Sequence, residues 1–388
     1  MTASFVLGLI ALLGTIVTTI QALLTRRFRR SSQLAALRSQ APSRETDCDS
    51  PIVSILKPVC GLDDELEENL VSFARLEGIR YEVIISAEEW EDPAVDVVRR
   101  VMRRHPEAPF RLVVDGGSRV AVVNRKVERL IAAVRVAAGD LFVISDSNVR
   151  VQPDDLARTI AAFADPNVGC VSNLFTGAGA RSLGAVVESL HLLAFVVPGA
   201  VLAAAARVPC VVGKSMAIPR HVHDAIGGFE RFRRVLAEDQ AIGLAVKEAG
   251  YDVVLSPVVV RNVIVQRDVK RAFGRQVRWN KIRFSFSHSL YVAELLLNPL
   301  IFAVAAALLE PERLALFPFF VAAARCLQMA LLSRATRAHM TWKQTAATPL
   351  LDALMLAAWF VPFFSNRITW RGYEARIGRG TEMIERAA

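Results

Sequence analysis

Cysteine is scarce. The 388 residues contain five, Cys48, Cys60, Cys170, Cys210 and Cys326, scattered, odd in number and without CxxC spacing. No disulfide framework or zinc ribbon can be built from them. They suit a reducing compartment, where such residues serve as small buried hydrophobes. GxGxxG, a Walker motif, HExxH and a Ser-His-Asp order are also absent, so dinucleotide binding, P-loop chemistry, zincin chemistry and serine hydrolysis have no motif to rest on. Gly116-Gly117 reads as a turn, and there are no repeats or low-complexity tracts. Charge is thin at 22% against 53% hydrophobic residues, with a mean hydropathy of +0.34. That is too apolar for an ordinary soluble enzyme and too charged for a pure membrane bundle. It implies one soluble domain joined to membrane segments.

What charge there is leans basic, +9 from 47 Lys+Arg against 38 Asp+Glu. Much of it sits in short clusters beside apolar runs, as with Arg26, Arg27, Arg29 and Arg30 after the first run. Such clusters orient membrane proteins and attract anionic lipid, so a membrane rather than nucleic acid is the expected partner. Residues 3–24 carry no charge and are long enough to span a bilayer. Residues 1–25 therefore read as a transmembrane signal anchor, with the N-terminus outside and Arg26 to Arg30 cytoplasmic. A linker is expected over 26–50, polar from 31 onward.

From residue 51 the pattern changes to alternating strands and helices. Strands are expected at 53–56, 81–86, 110–114 and 141–145, and helices at 63–77, 92–104 and 124–138. This order implies a mostly parallel α/β sheet, a Rossmann-like catalytic domain over 51–285. Ligands of such sheets bind at the C-terminal ends of strands, where Lys57, Asp92 and Asp146 fall. Residues 183–219 are apolar but interrupted by Glu188, His191, Arg207 and Lys214, and read as interfacial or buried helix. A C-terminal membrane region is expected over 286–388. Residues 290–309 and 314–332 read as clean spans. Residues 346–364 carry Pro349, Asp352 and Pro362 and read as re-entrant or interfacial. Basic residues on both sides of that last segment, among them Arg334, Arg337, Lys343, Arg367, Arg371, Arg376 and Arg379, keep the tail cytoplasmic.

The strongest chemical signal is three carboxylates in separate α/β loops, Asp92, Asp146 and Asp239, followed by Arg275-Gln276-Val277-Arg278-Trp279. A nucleotide-sugar donor leaves as a diphosphate. A divalent ion held by Asp146 at a strand end would neutralise that charge, and Arg275 and Arg278 would take the remainder by two-point contacts. Asp239 is placed as the base that removes the acceptor hydroxyl's proton. Each residue also has a plainer reading. An Asp after a strand is often a turn former or helix N-cap, and Arg-x-x-Arg-Trp is a common interfacial anchor. Lys214 would touch phosphate or only snorkel, and His221 and His223 read as a solvated loop.

The combination resembles the ceramide glucosyltransferase family, which is built on a GT-A fold. The resemblance spans about residues 51 to 285. It is carried by SILKPVCGLDDELEENL (54–70), EDPAVD (91–96), NRK (124–126), DSNVRVQPDDL (146–156), AEDQAIG (237–243) and RQVRW (275–279). It implies Asp239 as catalytic base and Asp146 as the site of Mg2+ or Mn2+. It implies a donor site of Lys57, Asp92, Asn124, Lys126, Asp146, Arg275, Arg278 and Trp279. Asp146-Ser147-Asn148 lacks the second carboxylate of a full DxD, so the ion would lean on one Asp plus the diphosphate. The tail Ile368-Thr369-Trp370-Arg371-Gly372 is also similar to the family. The activity implied is inverting transfer of one sugar, glucose from UDP-glucose, to the hydroxyl of ceramide at the cytoplasmic face of a bacterial inner membrane. A related bacterial group implies N-acetylglucosaminyl transfer to phosphatidylethanolamine instead. A processive polysaccharide synthase would need more spans, and three intact aspartates argue against an inactive scaffold.

Overall fold

The computed structural model describes residues 2–38, 52–116, 123–370 and 373–384. Part of the expected linker, Cys48, Gly117, Arg371 and Gly372 lie outside them. The chain divides into two units. One comprises Met1–Arg30, Gly177–Leu202 and Val265–Thr381, the other Ser31–Thr176, Ala203–Ile264 and Glu382–Ala388.

The second unit carries the mixed α/β fold. Its strands are β1 (Val53–Pro58), β2 (Tyr81–Ala87), β3 (Phe110–Val114), β4 (Leu141–Ser145), β5 (Val149–Arg150), β6 (Val168–Ala178, whose last two residues belong to the other unit), β7 (Ser215–Pro219) and β8 (Asp252–Val263). They form one sheet in the order β3-β2-β1-β4-β7-β6-β8-β5. The half from β3 to β4 is parallel. Its central strands are buried along almost their whole length, as expected for a sheet covered on both faces. One face packs Leu56, Ile84, Phe142 and Ile144 against Val127, Leu130 and Ile131 of the helix Arg125–Val134.

β7 then runs antiparallel to β4, with Ser145 opposite Ser215. The start of one strand therefore lies beside the end of the other, and residues 213 and 214 face the turn that begins at Asp146. His223, expected in a solvated loop, is 4% exposed on the helix Arg220–Ala225. Its ring packs edge-on against Phe142 and Phe229, and its Nε2 accepts the N–H of Phe229.

Among the described residues, three helical runs, lying mainly in the first unit, are long and apolar enough to cross a membrane: Ala3–Ser31, Leu183–Ala205 and Trp342–Phe363. The helix containing the first continues to Arg38, into the expected linker. Residues 290–309, expected as one straight span, form two pieces, His288–Leu297 and Pro299–Leu309, bent by 66°. Pro299 lacks the N–H that would carry the helix through, and the Asn298 amide donates to the Asp352 carbonyl at 2.7 Å. The helix Phe317–Thr336, expected as a clean span over 314–332, contains Arg325 and is not among the apolar runs. Arg325 is 1% exposed and makes a two-point ion pair with Asp352, which is fully buried. A buried cation in an apolar setting survives only with its partner in place. Pro349 sits in the first turn of Thr348–Phe360, where its missing N–H costs little, and so does not break that run.

Candidate active site

Asp146 follows β4 directly. Its Oδ1 lies 2.9 Å from Lys126 Nζ and its Oδ2 lies 2.8 Å from Lys214 Nζ. Lys126 stands in the first turn of the helix Arg125–Val134, and Lys214 immediately precedes β7. Burial alone would raise the Asp146 carboxyl, but Lys126 and Lys214 override it and hold the group well below the usual carboxylate range. Burial would lower Lys126. Asp146, Glu238 and Asp239 together reverse that and lift it above the usual lysine range. Lys126 therefore stays charged at neutral pH.

Glu238 and Asp239 open the helix Glu238–Glu248. Lys126 Nζ reaches Glu238 Oε1 at 3.0 Å and the Gly213 carbonyl at 3.0 Å. Asp239 Oδ2 accepts the N–H of Gly213 at 2.5 Å, and Oδ1 accepts the N–H of Gln240 at 2.8 Å. Burial and the neighbouring Glu238 push the Asp239 carboxyl up to about 6, against the pull of Lys126 and the two backbone donors. The carboxylate is thus oriented by the backbone yet basic enough to exchange a proton near neutrality. Gly213 is required by this close approach. A Cβ there would stand 2.9 Å from Asp239 Cβ and 3.0 Å from Lys126 Nζ.

Three expected donor-site residues serve as supports in this structure. Lys57 is fully buried, with its amine 2.8 Å from the Asp146 carbonyl and 3.9 Å over the Phe73 ring. Burial pulls it down to about 7, with Asp146 and Asp63 opposing. Its amine thus steadies the Asp146 turn from inside. Asn124 is buried as the N-cap of Arg125–Val134, and its amide donates to Glu238 Oε2 at 2.9 Å. Asp92 caps the helix Pro93–Arg104 through Ala94 N and accepts the Gly61 N–H at 2.9 Å. That is the plainer role such an Asp has.

The structure brings together Lys57, Asn124, Lys126, Asp146 and Asp239, all in the α/β unit. Two members of the cluster were not assigned to the site from sequence. Lys214 was left between two roles, and Glu238 adjoins Asp239 in the same AEDQ segment. Arg275, Arg278 and Trp279 belong to the other unit, on the helix Val269–Phe286. Arg275 lies 3.2 Å from Glu188 Oε1 and 4.3 Å over the Trp279 ring. His191, 2% exposed, packs edge-on to the same indole.

Among the described residues, no group of three or more His, Cys, Asp or Glu side chains is placed to hold a metal ion. Asp146 offers one carboxylate, already shared by two ammonium groups. An ion arriving with a diphosphate needs only one or two carboxylates, because phosphate oxygens and water complete its shell. Asp146 fits that limited role if one lysine yields its oxygen.

A model of glycosyl transferase family 21 matches residues 6–383. Ceramide glucosyltransferase 1 of Caenorhabditis elegans is 28% identical over 258 residues, 64% of this chain and 53% of that one. Ceramide glucosyltransferase 3 of the same organism is 27% identical over 253 residues, 64% of this chain and 54% of that one. The chain spans about half the length of the curated relatives it matches. Among solved structures, the mannosyltransferase PcManGT from Pyrobaculum calidifontis, in complex with GDP-Man and Mn2+, is similar over 92% of this chain and 99% of that one. Its TM-score is 0.49 and its identity 20%.

Proposed function

We propose, from the premise that this chain belongs to glycosyl transferase family 21, that it moves one glucose from UDP-glucose to the hydroxyl of ceramide, with inversion, at the cytoplasmic face of a membrane. The observation that carries this reading is the Asp239 carboxylate, raised to about 6 and held by two backbone N–H groups beside the Lys126–Asp146–Lys214 cluster. Three apolar helical runs support a membrane setting.

In this proposal Asp239, unprotonated above its pKa, accepts the proton of the acceptor hydroxyl as that oxygen attacks the anomeric carbon. The bond to the diphosphate breaks on the opposite side, which inverts the centre. Lys126 and Lys214 supply fixed positive charge as the diphosphate leaves. Mg2+ or Mn2+, held by Asp146 when bound, would supply further neutralisation of that charge. Lys57 and Asn124 position the turn and helix start that carry these groups. Donor binding by Asp92, Arg275, Arg278 and Trp279 is proposed from the family resemblance alone.

The test is mass spectrometry of lipids from cells expressing the chain, compared with cells expressing Asp239→Ala. A new hexosylated ceramide that depends on Asp239 is expected. N-acetylhexosaminyl phosphatidylethanolamine would move the reading to the other acceptor, and a polymer would replace it with a synthase.

A further inference from the structure

A cavity of about 280 Å3 in the first unit is lined by Lys281, Phe284, His288, Ser365, Asn366 and Arg379, among others. None of the candidate donor or catalytic residues lines it. Among the described residues that line it are an ammonium, a guanidinium and an imidazole, and no carboxylate. Lys281 is buried at 8% exposure, while His288 and Arg379 are exposed. The Lys281 amine donates to Ser365 Oγ and to the Arg367 carbonyl, both neutral acceptors. Burial draws this amine below the usual lysine range, a cost that an anion would offset.

The cavity also lies where apolar helices end. Pro362 lines it, one residue from the end of the apolar run Trp342–Phe363. His288, also in the wall, begins the bent apolar pair. Around these ends is an aromatic group. Tyr291 stacks on Trp359, with each donating to the other's backbone carbonyl, and Phe284 packs against Phe363. Phe364 is 85% exposed. Tyr291 is itself buried and anchors the group from inside, while the half-buried Trp359 and the exposed Phe364 are the aromatic side chains placed to meet the level of lipid headgroups.

We propose that this cavity binds the phosphodiester headgroup of an anionic phospholipid. Its volume suits a headgroup, with the acyl chains left outside in the bilayer. Basic pockets at helix ends bind such headgroups through charge and hydrogen bonds together. This role is separate from sugar transfer and does not depend on the identity of the acceptor.

The full chain, in vesicles of phosphatidylcholine with a minor fraction of phosphatidylglycerol, is extracted gently. Its retained lipid is then counted by native mass spectrometry. Phosphatidylglycerol should be retained in preference to phosphatidylcholine. The double variant His288→Glu/Arg379→Glu places negative charge at two exposed positions and should lose on the order of tenfold or more of that retention, with an unchanged melting midpoint. Lys281→Met, which keeps the stem, should weaken retention as well. Equal retention by parent and double variant would overturn the proposal. Release of the lipid by millimolar inorganic phosphate or UDP would also overturn it, by marking the cavity as a site for soluble anions.

Discussion

Lys126 Nζ lies 2.9 Å from Asp146 Oδ1, and the same nitrogen is 3.0 Å from Glu238. One lysine thus ties the end of β4 to the first turn of the helix that carries Asp239. Because Lys126 lowers the Asp239 carboxyl while burial and Glu238 raise it, removing the lysine has a defined sign. Lys126→Met should move the acid limb of the pH–rate profile above the parent value of about 6. A limb that stays put or moves down would show that Asp239 is not the titrating base.

Asp239→Asn keeps the shape and removes the basicity. Turnover should fall by about 10²–10⁴, the range for loss of a general base, with the donor KM little changed. The parent needs the unprotonated form, so its rate should decline as pH falls through about 6, and at pH 5 about a tenth of the plateau should remain. The variant should lack this limb. The linkage for stability has the opposite sense. A carboxyl raised on folding costs stability as pH climbs from its unfolded pKa towards about 6, so Asp239→Asn should be the more stable protein above that pH. Near-parent transfer by this variant would sink the base assignment.

Gly213→Ala tests the close approach. The new methyl would press on Asp239 and Lys126 at about 3 Å. Displacing a reacting group by a fraction of an ångström is expected to cost on the order of 10- to 100-fold in kcat. The melting midpoint should also fall by a few degrees, the usual cost of an overpacked methyl, which is too little to account for the loss in kcat. Unimpaired kcat would mean that the arrangement around residue 213 is slack.

The sequence was most legible where a pattern is local. Strands 110–114 and 141–145 were expected at the bounds they have, and Asp146 and Asp239 were singled out from short segments that also carry the family resemblance. Lys214 was missed as a partner of Asp146 because the whole stretch 183–219 reads as apolar. Nothing in that composition announces that its end is β7, antiparallel to β4 with Ser215 opposite Ser145. Pairing register is a tertiary property. The bend within 290–309 was missed for the converse reason. Asn298-Pro299 was visible, but hydropathy averages over a bend. Arg325 was likewise visible, while its neutralising partner Asp352 lies 27 residues away in sequence.

A metal role for Asp146 carries a prediction of its own. Transfer is expected to require Mg2+ or Mn2+ and to stop in chelator. Because Lys214 competes for Asp146 Oδ2, Lys214→Met should bind Mn2+ more tightly in the presence of UDP, measured by paramagnetic relaxation without any turnover. Full activity in protein shown to be ion-free by elemental analysis would remove the metal from the mechanism.

Arg275 raises a sharper question, since it was expected to grip the diphosphate and is paired with Glu188. The carboxylate of Glu188 is 4% exposed, 3.2 Å from Arg275 and 3.4 Å from Arg267. Removing one partner of such a buried pair typically costs on the order of 3 kcal/mol, because the remaining charge is left without compensation. Glu188→Gln and Arg275→Gln should each lower the melting midpoint by several degrees. The double variant should lose less than the sum, as coupled neighbours do. If Arg275 only secures the helix Val269–Phe286 against the segment that bears Glu188, the two single variants will change the donor KM alike. If it also meets the diphosphate, Arg275→Gln will raise the donor KM well beyond Glu188→Gln at equal stability, and Arg275→Lys will not rescue it, because an ammonium cannot reproduce a planar two-point contact. Strictly additive midpoints would show that the pair contributes no coupling.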